Sequence, residues 1–85
     1  MQVIYKYSLQ PNRTTLEMPK GAKVLTVAAQ DGDPVLWAQC DPDALKEKRV
    51  FQVFATGFMD QFDGWTYHGT FQLGWFVGHV YEDQR

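Results

Sequence analysis

Alternation with a period of two residues runs through nearly the whole of this chain, and it confines the fold to strands. Residues 2–9 place Val3, Tyr5, Tyr7 and Leu9 on one side and Ile4, Lys6 and Ser8 on the other. After a break at Pro11-Asn12, residues 14–18 make a short second segment, ended by Pro19 and turned by Lys20-Gly21. Residues 22–30 set Leu25, Val27 and Ala29 against Val24, Thr26 and Ala28. Asp31-Gly32-Asp33-Pro34 then gives the strongest hairpin signal in the chain and leads into a strand over 35–40. Residues 41–48 lack alternation and read as a loop with at most one helical turn, capped by Asp41 with Pro42 behind it. Alternation resumes over 49–56, where Phe51, Val53 and Ala55 oppose Val50, Gln52 and Phe54. The final pair of strands is predicted over 65–72 and 75–82.

Six or seven short strands separated by turn residues predict an all-β fold, a small antiparallel sandwich or partly open barrel. No connection is long enough to hold the crossover helix of a parallel sheet. Residues 1–85 are expected to form a single domain, since domains rarely fall below about 50 residues. Three Trp, four Tyr and six Phe against a net charge of −2 exclude a disordered chain. One cysteine, Cys40, cannot make an intrachain disulfide. The start of the chain has neither part of a signal peptide, and no apolar run is long enough to span a bilayer. A cytoplasmic protein without membrane association is therefore expected. A domain this small, without disulfide or metal staples, is also expected to be a homo-oligomer, most simply a dimer.

Charge and motif together argue against several function classes. Eight basic residues against ten acidic ones leave no phosphate-neutralising surface, so nucleic acid is not an expected partner. The one basic run, Lys46-Glu47-Lys48-Arg49, is diluted by its own glutamate. Cys40 shares an alternating strand with Leu36 and Ala38 and reads as a buried, inert thiol. The Asp31/Asp33 and Asp41/Asp43 pairs sit in turns, where Asp bonds its own backbone. His68 and His79 have no carboxylate or thiol spaced to complete a metal site. No nucleophile–base pair or phosphate loop is legible, so no catalytic residue, cofactor or metal is assigned, and a non-enzymatic binding protein is expected.

Two surfaces compete as binding sites. The connection 58–64 carries Phe58, Met59 and Phe62 among Asp60, Asp63 and Gly64. Apolar side chains on such a connection either mark an interface with a protein partner or cap an open barrel end. The second surface lies on the last hairpin. With Leu73-Gly74 as a two-residue turn, Gln72 pairs with Trp75 and His68 faces His79. That register places Thr66, His68 and Thr70 beside His79 and Tyr81, with Trp65, Tyr67, Phe71, Phe76 and Val80 on the core side. The polar side is either an ordinary solvated face or a site for a small anionic, nucleotide-like ligand.

Five stretches carry a resemblance along nearly the whole chain: Val3-Ile4-Tyr5-Lys6-Tyr7; Met18-Pro19-Lys20-Gly21-Ala22-Lys23-Val24-Leu25; Pro34-Val35-Leu36-Trp37-Ala38 with Asp41-Pro42; Ala55-Thr56-Gly57; and Tyr67-His68-Gly69-Thr70-Phe71-Gln72 with His79-Val80. In this ordered set the chain resembles a family of small uncharacterised proteins of phages, prophages and bacteria. Leu73-Gly74-Trp75-Phe76 stands where that pattern is richer in glycine or alanine. The resemblance supplies no activity and no site residue. It implies a stoichiometric protein acting in the bacterial host cytoplasm, chiefly as an inhibitor of a host immune protein. The alternatives are a sponge for a nucleotide-derived immune signal and a phage structural or morphogenesis component.

Overall fold

The computed structural model describes residues 1–58 and 60–85. Among them the chain forms seven strands: β1 (Val3–Ser8), β2 (Arg13–Pro19), β3 (Lys23–Gln30), β4 (Asp33–Cys40), β5 (Lys46–Ala55), β6 (Trp65–Leu73) and β7 (Phe76–Asp83). They pair antiparallel in two sheets, ordered β1-β4-β3 and β2-β5-β7-β6. The fold is a small all-β sandwich without closure into a barrel, and no helix in the described residues is long and apolar enough to cross a membrane.

The period-two pattern does what it predicts. Leu36, Ala38 and Cys40 of β4, Phe51 and Val53 of β5, Phe71 of β6 and Val80 of β7 meet in one buried core with Leu9, Met18 and Val27. At about 25 cal/mol per Å² of apolar surface removed from water, these inward side chains are the main stabilising term. Asp31 and Gly32, at φ 53 and 85, close the β3–β4 hairpin as the two left-handed residues of a type I′ turn.

Strand β5 begins at Lys46, three residues before the predicted start at 49. Lys46, Glu47 and Lys48 pair with Pro19, Met18 and Glu17 of the edge strand β2, so only residues 41–45 remain as a connection. Charged side chains suit that position because β2 is an edge and one face of the pair is solvated. Pro19 closes β2 there, where the edge strand loses no ladder bond to a missing N–H.

The largest departure lies between β5 and β6. Strand β7 sits between them, so β5 and β6 run in the same direction without being neighbours. Their connection must therefore return along the sheet from the Ala55 end to the Trp65 end.

Candidate functional site

The β5–β6 connection crosses the outer face of the four-stranded sheet, and its aromatic residues pack there rather than capping an open end, with Phe62 half-buried and Phe58 still exposed. Phe54 is the anchor. It points away from the main core yet is only 5% exposed, because Phe58, Phe62, Trp65 and Tyr81 surround it with ring centroids at 5.2, 5.1, 5.3 and 5.7 Å. Phe62 stacks on Tyr81 at 4.7 Å, and Tyr67 leans on Tyr81 at 5.3 Å. Edge-to-face and offset contacts of this kind add to the area that the rings bury. Backbone bonds pin the connection at both ends: Phe58 N–H donates to the Ala55 carbonyl at 3.1 Å, and Trp65 N–H donates to the Phe62 carbonyl at 3.1 Å.

Beside this cluster, His79 lies opposite Phe54 across β5 and β7 and opposite Thr70 across β7 and β6. Its ring is held between two hydroxyls, Thr56 Oγ1 at 2.7 Å from Nε2 and Thr70 Oγ1 at 2.9 Å from Nδ1. Tyr67 continues the chain of hydrogen bonds through its hydroxyl to Thr70. The imidazole has one donor and one acceptor when neutral, and the two threonines meet both needs. This geometry fixes the ring as a hydrogen-bonding group. Among the described residues no carboxylate backs His79 to stabilise an imidazolium, as general-base catalysis would ask.

A concavity of about 220 Å³ opens between these parts, walled by Phe54, Phe58, Phe62 and Tyr81 with Thr56 and His79 at its polar side. Phe58 is 54% exposed at its lip. The two predicted surfaces thus merge in part: Phe58 and Phe62 share one face with Thr70, His79 and Tyr81. Met59 lies outside the described residues.

Thr66 and His68 do not join that face. The turn of the last hairpin consists of Gly74 and Trp75, with Leu73 paired to Phe76, so Thr70 and not His68 faces His79. The backbone chose the glycine: Gly74 takes φ 61, a value that Leu73 would adopt only with strain. A β-bulge at His68-Gly69 then shifts the register once more. Upstream of the bulge, Trp65 and Tyr67 turn outward into the aromatic cluster instead of lining the core, while Phe71, Phe76 and Val80 keep the inward side.

His68 turns inward to a second polar group, buried at the far end of the sandwich. Glu82 is 3% exposed and accepts two bonds from Arg49, from Nε at 2.6 Å and Nη2 at 2.8 Å, and one from His68 Nε2 at 2.9 Å. Arg49 also donates to the Ala22 carbonyl, tying β5 to the connection that leads into β3. Burial alone would raise the Glu82 carboxyl, but the bonds from Arg49 and then His68 outweigh it and hold it at about 2. The group is structural in its geometry, since it is enclosed and its bonding capacity is met. Neither Glu82 nor Arg49 is marked by the sequence beyond an interruption of the apolar alternation.

A family model described as a domain of unknown function (DUF7352) matches residues 1–85. No curated protein and no solved structure shows significant similarity to the chain.

Proposed function

The chain belongs to the DUF7352 family, and from its outer sheet face we propose a non-enzymatic, stoichiometric protein-binding domain. The observation that carries this reading is the concavity beside Phe58: aromatic walls, a fixed hydrogen-bonding edge at His79 and Thr56, and an exposed ring at the lip. Such a surface receives an apolar side chain of a partner, while the Thr56 hydroxyl, held by His79 and keeping a free acceptor lone pair, bonds to its backbone or polar end. Interfaces draw most of their energy from aromatic anchors seated in pockets of this kind. The resemblance to phage-borne proteins favours a bacterial host protein as the partner, with an immune protein as the specific target.

The ligand-sponge alternative has less support. A nucleotide-derived signal carries phosphates, and the concavity has no Lys or Arg in its lining. A role as a phage structural component finds no separate support in the geometry.

Immobilised protein and bacterial lysate, followed by affinity measurement on the captured partner, test the proposal. Phe58→Ala is expected to cost roughly 1–3 kcal/mol of affinity, the range of aromatic hot spots. Thr66→Ala, on the opposite face, is expected to cost nothing measurable. A partner held equally well by the wild type, Phe58→Ala and Tyr81→Phe/His79→Ala variants would refute the assignment of this face.

A further inference from the structure

Trp75 is 91% exposed at the tip of the β6–β7 hairpin, the most exposed aromatic side chain of the fold. Within the single chain the ring makes one aromatic contact, edge-to-face with Phe76 at 6.2 Å, and that contact leaves nearly all of its apolar surface in water. At the same end of the sandwich the two sheets part around a cavity of about 390 Å³. Its walls are apolar, formed by Leu9, Pro34, Phe71 and Phe76, and Leu73 and Phe76 belong to the hairpin that carries Trp75. Its polar lining consists of Ser8, Gln10 and Asp33, and it includes no Lys or Arg.

We propose that this cavity is a receptor for an indole ring, and that its occupant is Trp75 of a second copy of the chain. Four observations converge on that occupant. The volume falls within the range of about 300–1,000 Å³ that concave ligand sites show, and so has room for an indole. The lining offers acceptors, including the Asp33 carboxylate, and an indole has one polar group, a donor N–H. The same charge pattern opposes an anionic occupant. Donor ring and cavity also lie at one end of the molecule, so a two-fold axis through that end inserts each Trp75 into the other copy's cavity at once. That reciprocity is the defining property of an isologous interface.

Size sets the strength. Each inserted ring buries about 150–250 Å², so the exchange of two rings stays well below the roughly 1,200–2,000 Å² of standard stable interfaces. The dimer is therefore weak and concentration-dependent. It uses neither His79 nor Phe62, so it stands or falls separately from the protein-binding face proposed above.

Sedimentation velocity of the full chain from micromolar to millimolar concentration tests the inference, combined with amide chemical shifts. The mass is expected to rise from 9.8 kDa toward twice that value, with shifts concentrated at Leu9, Phe71 and Phe76. Trp75→Ala, a change at an exposed turn position, should stay monomeric across the range with unchanged unfolding. Free indole at millimolar concentration should move the same resonances in Trp75→Ala, and indole-3-acetate should move them far less. A wild type that stays at 9.8 kDa throughout overturns the proposal, as does a Trp75→Ala variant that still dimerises. Indole shifts confined to the outer face around Phe58 would overturn the assignment of the cavity.

Discussion

Glu82→Gln removes one charge from the only carboxylate buried at the core among the described residues, and its cost follows from the structure. In the folded chain the Glu82 carboxyl titrates at about 2 against an ordinary value of 4.5. A difference of that size corresponds to about 3 kcal/mol of preference for the ionised form in the native state. The glutamine still accepts one bond, but Arg49 loses its hydrogen-bonded counter-charge and keeps only the electrostatic pull of Glu47, and breaking a buried pair in this way costs up to about 3–5 kcal/mol. We expect a loss of about 3 kcal/mol in urea unfolding at neutral pH, with an unchanged dependence on denaturant. For a domain of this size that is about 12–24 °C in Tm. The sign with pH is fixed. Because the folded value lies below the unfolded one, the stabilisation is complete above about 4.5 and is lost as pH falls toward about 2. Wild-type stability should therefore drop across that window, and Glu82→Gln should drop less. The double change Arg49→Met/Glu82→Leu should recover much of the loss, since apolar replacement of a buried ion pair is often neutral. A Glu82→Gln variant within about 1 kcal/mol of wild type would refute the reasoning, because ordinary surface changes stay within about 0.5.

Two further outcomes test the fold itself. Gly69→Ala should destabilise by about 1–3 kcal/mol, since a Cβ there would stand 2.6 Å from Val27 Cγ2 where β3 and β6 close the sandwich, and φ is 153; thermal unfolding measures it. Cys40 is 2% exposed, so a thiol reagent should label it only at the rate of unfolding, and fast labelling of the native chain would contradict its burial.

What the sequence told and what it hid divide along a physical line. Alternation reports which side of a strand an individual residue faces, so Phe51, Val53, Leu36 and Ala38 were legible as core. The Asp31-Gly32 turn was legible because its backbone needs two left-handed residues and the dipeptide supplies them. The last hairpin was misread by one choice of turn, Leu73-Gly74 for Gly74-Trp75, and by the bulge at His68-Gly69. The different turn shifts the pairing by two residues and leaves every side chain on its face, whereas the bulge slips it by one, and that is why Tyr67 and Trp65 exchange sides with His68 and Thr66. Gly69 held the signal for the bulge, since a glycine inside an alternating strand marks one.

The aromatic connection shows a deeper limit of local reading. Phe58 and Phe62 look like exposed residues on a loop because nothing near them in sequence can cover them. Their packing against the sheet, which half-buries Phe62 and leaves Phe58 54% exposed, follows from strand order: with β7 inserted between β5 and β6, the connection has to travel the length of the sheet, and the outer face of β7 is what it travels over. That path turns Phe54 and Tyr81, outward residues of two central strands, into the floor of a second apolar cluster. It also brings His79 to the edge of that cluster beside Thr56, the first residue after β5. The candidate binding face is thus a product of topology. Its residues are scattered from Phe54 to Tyr81, and only the crossover assembles them.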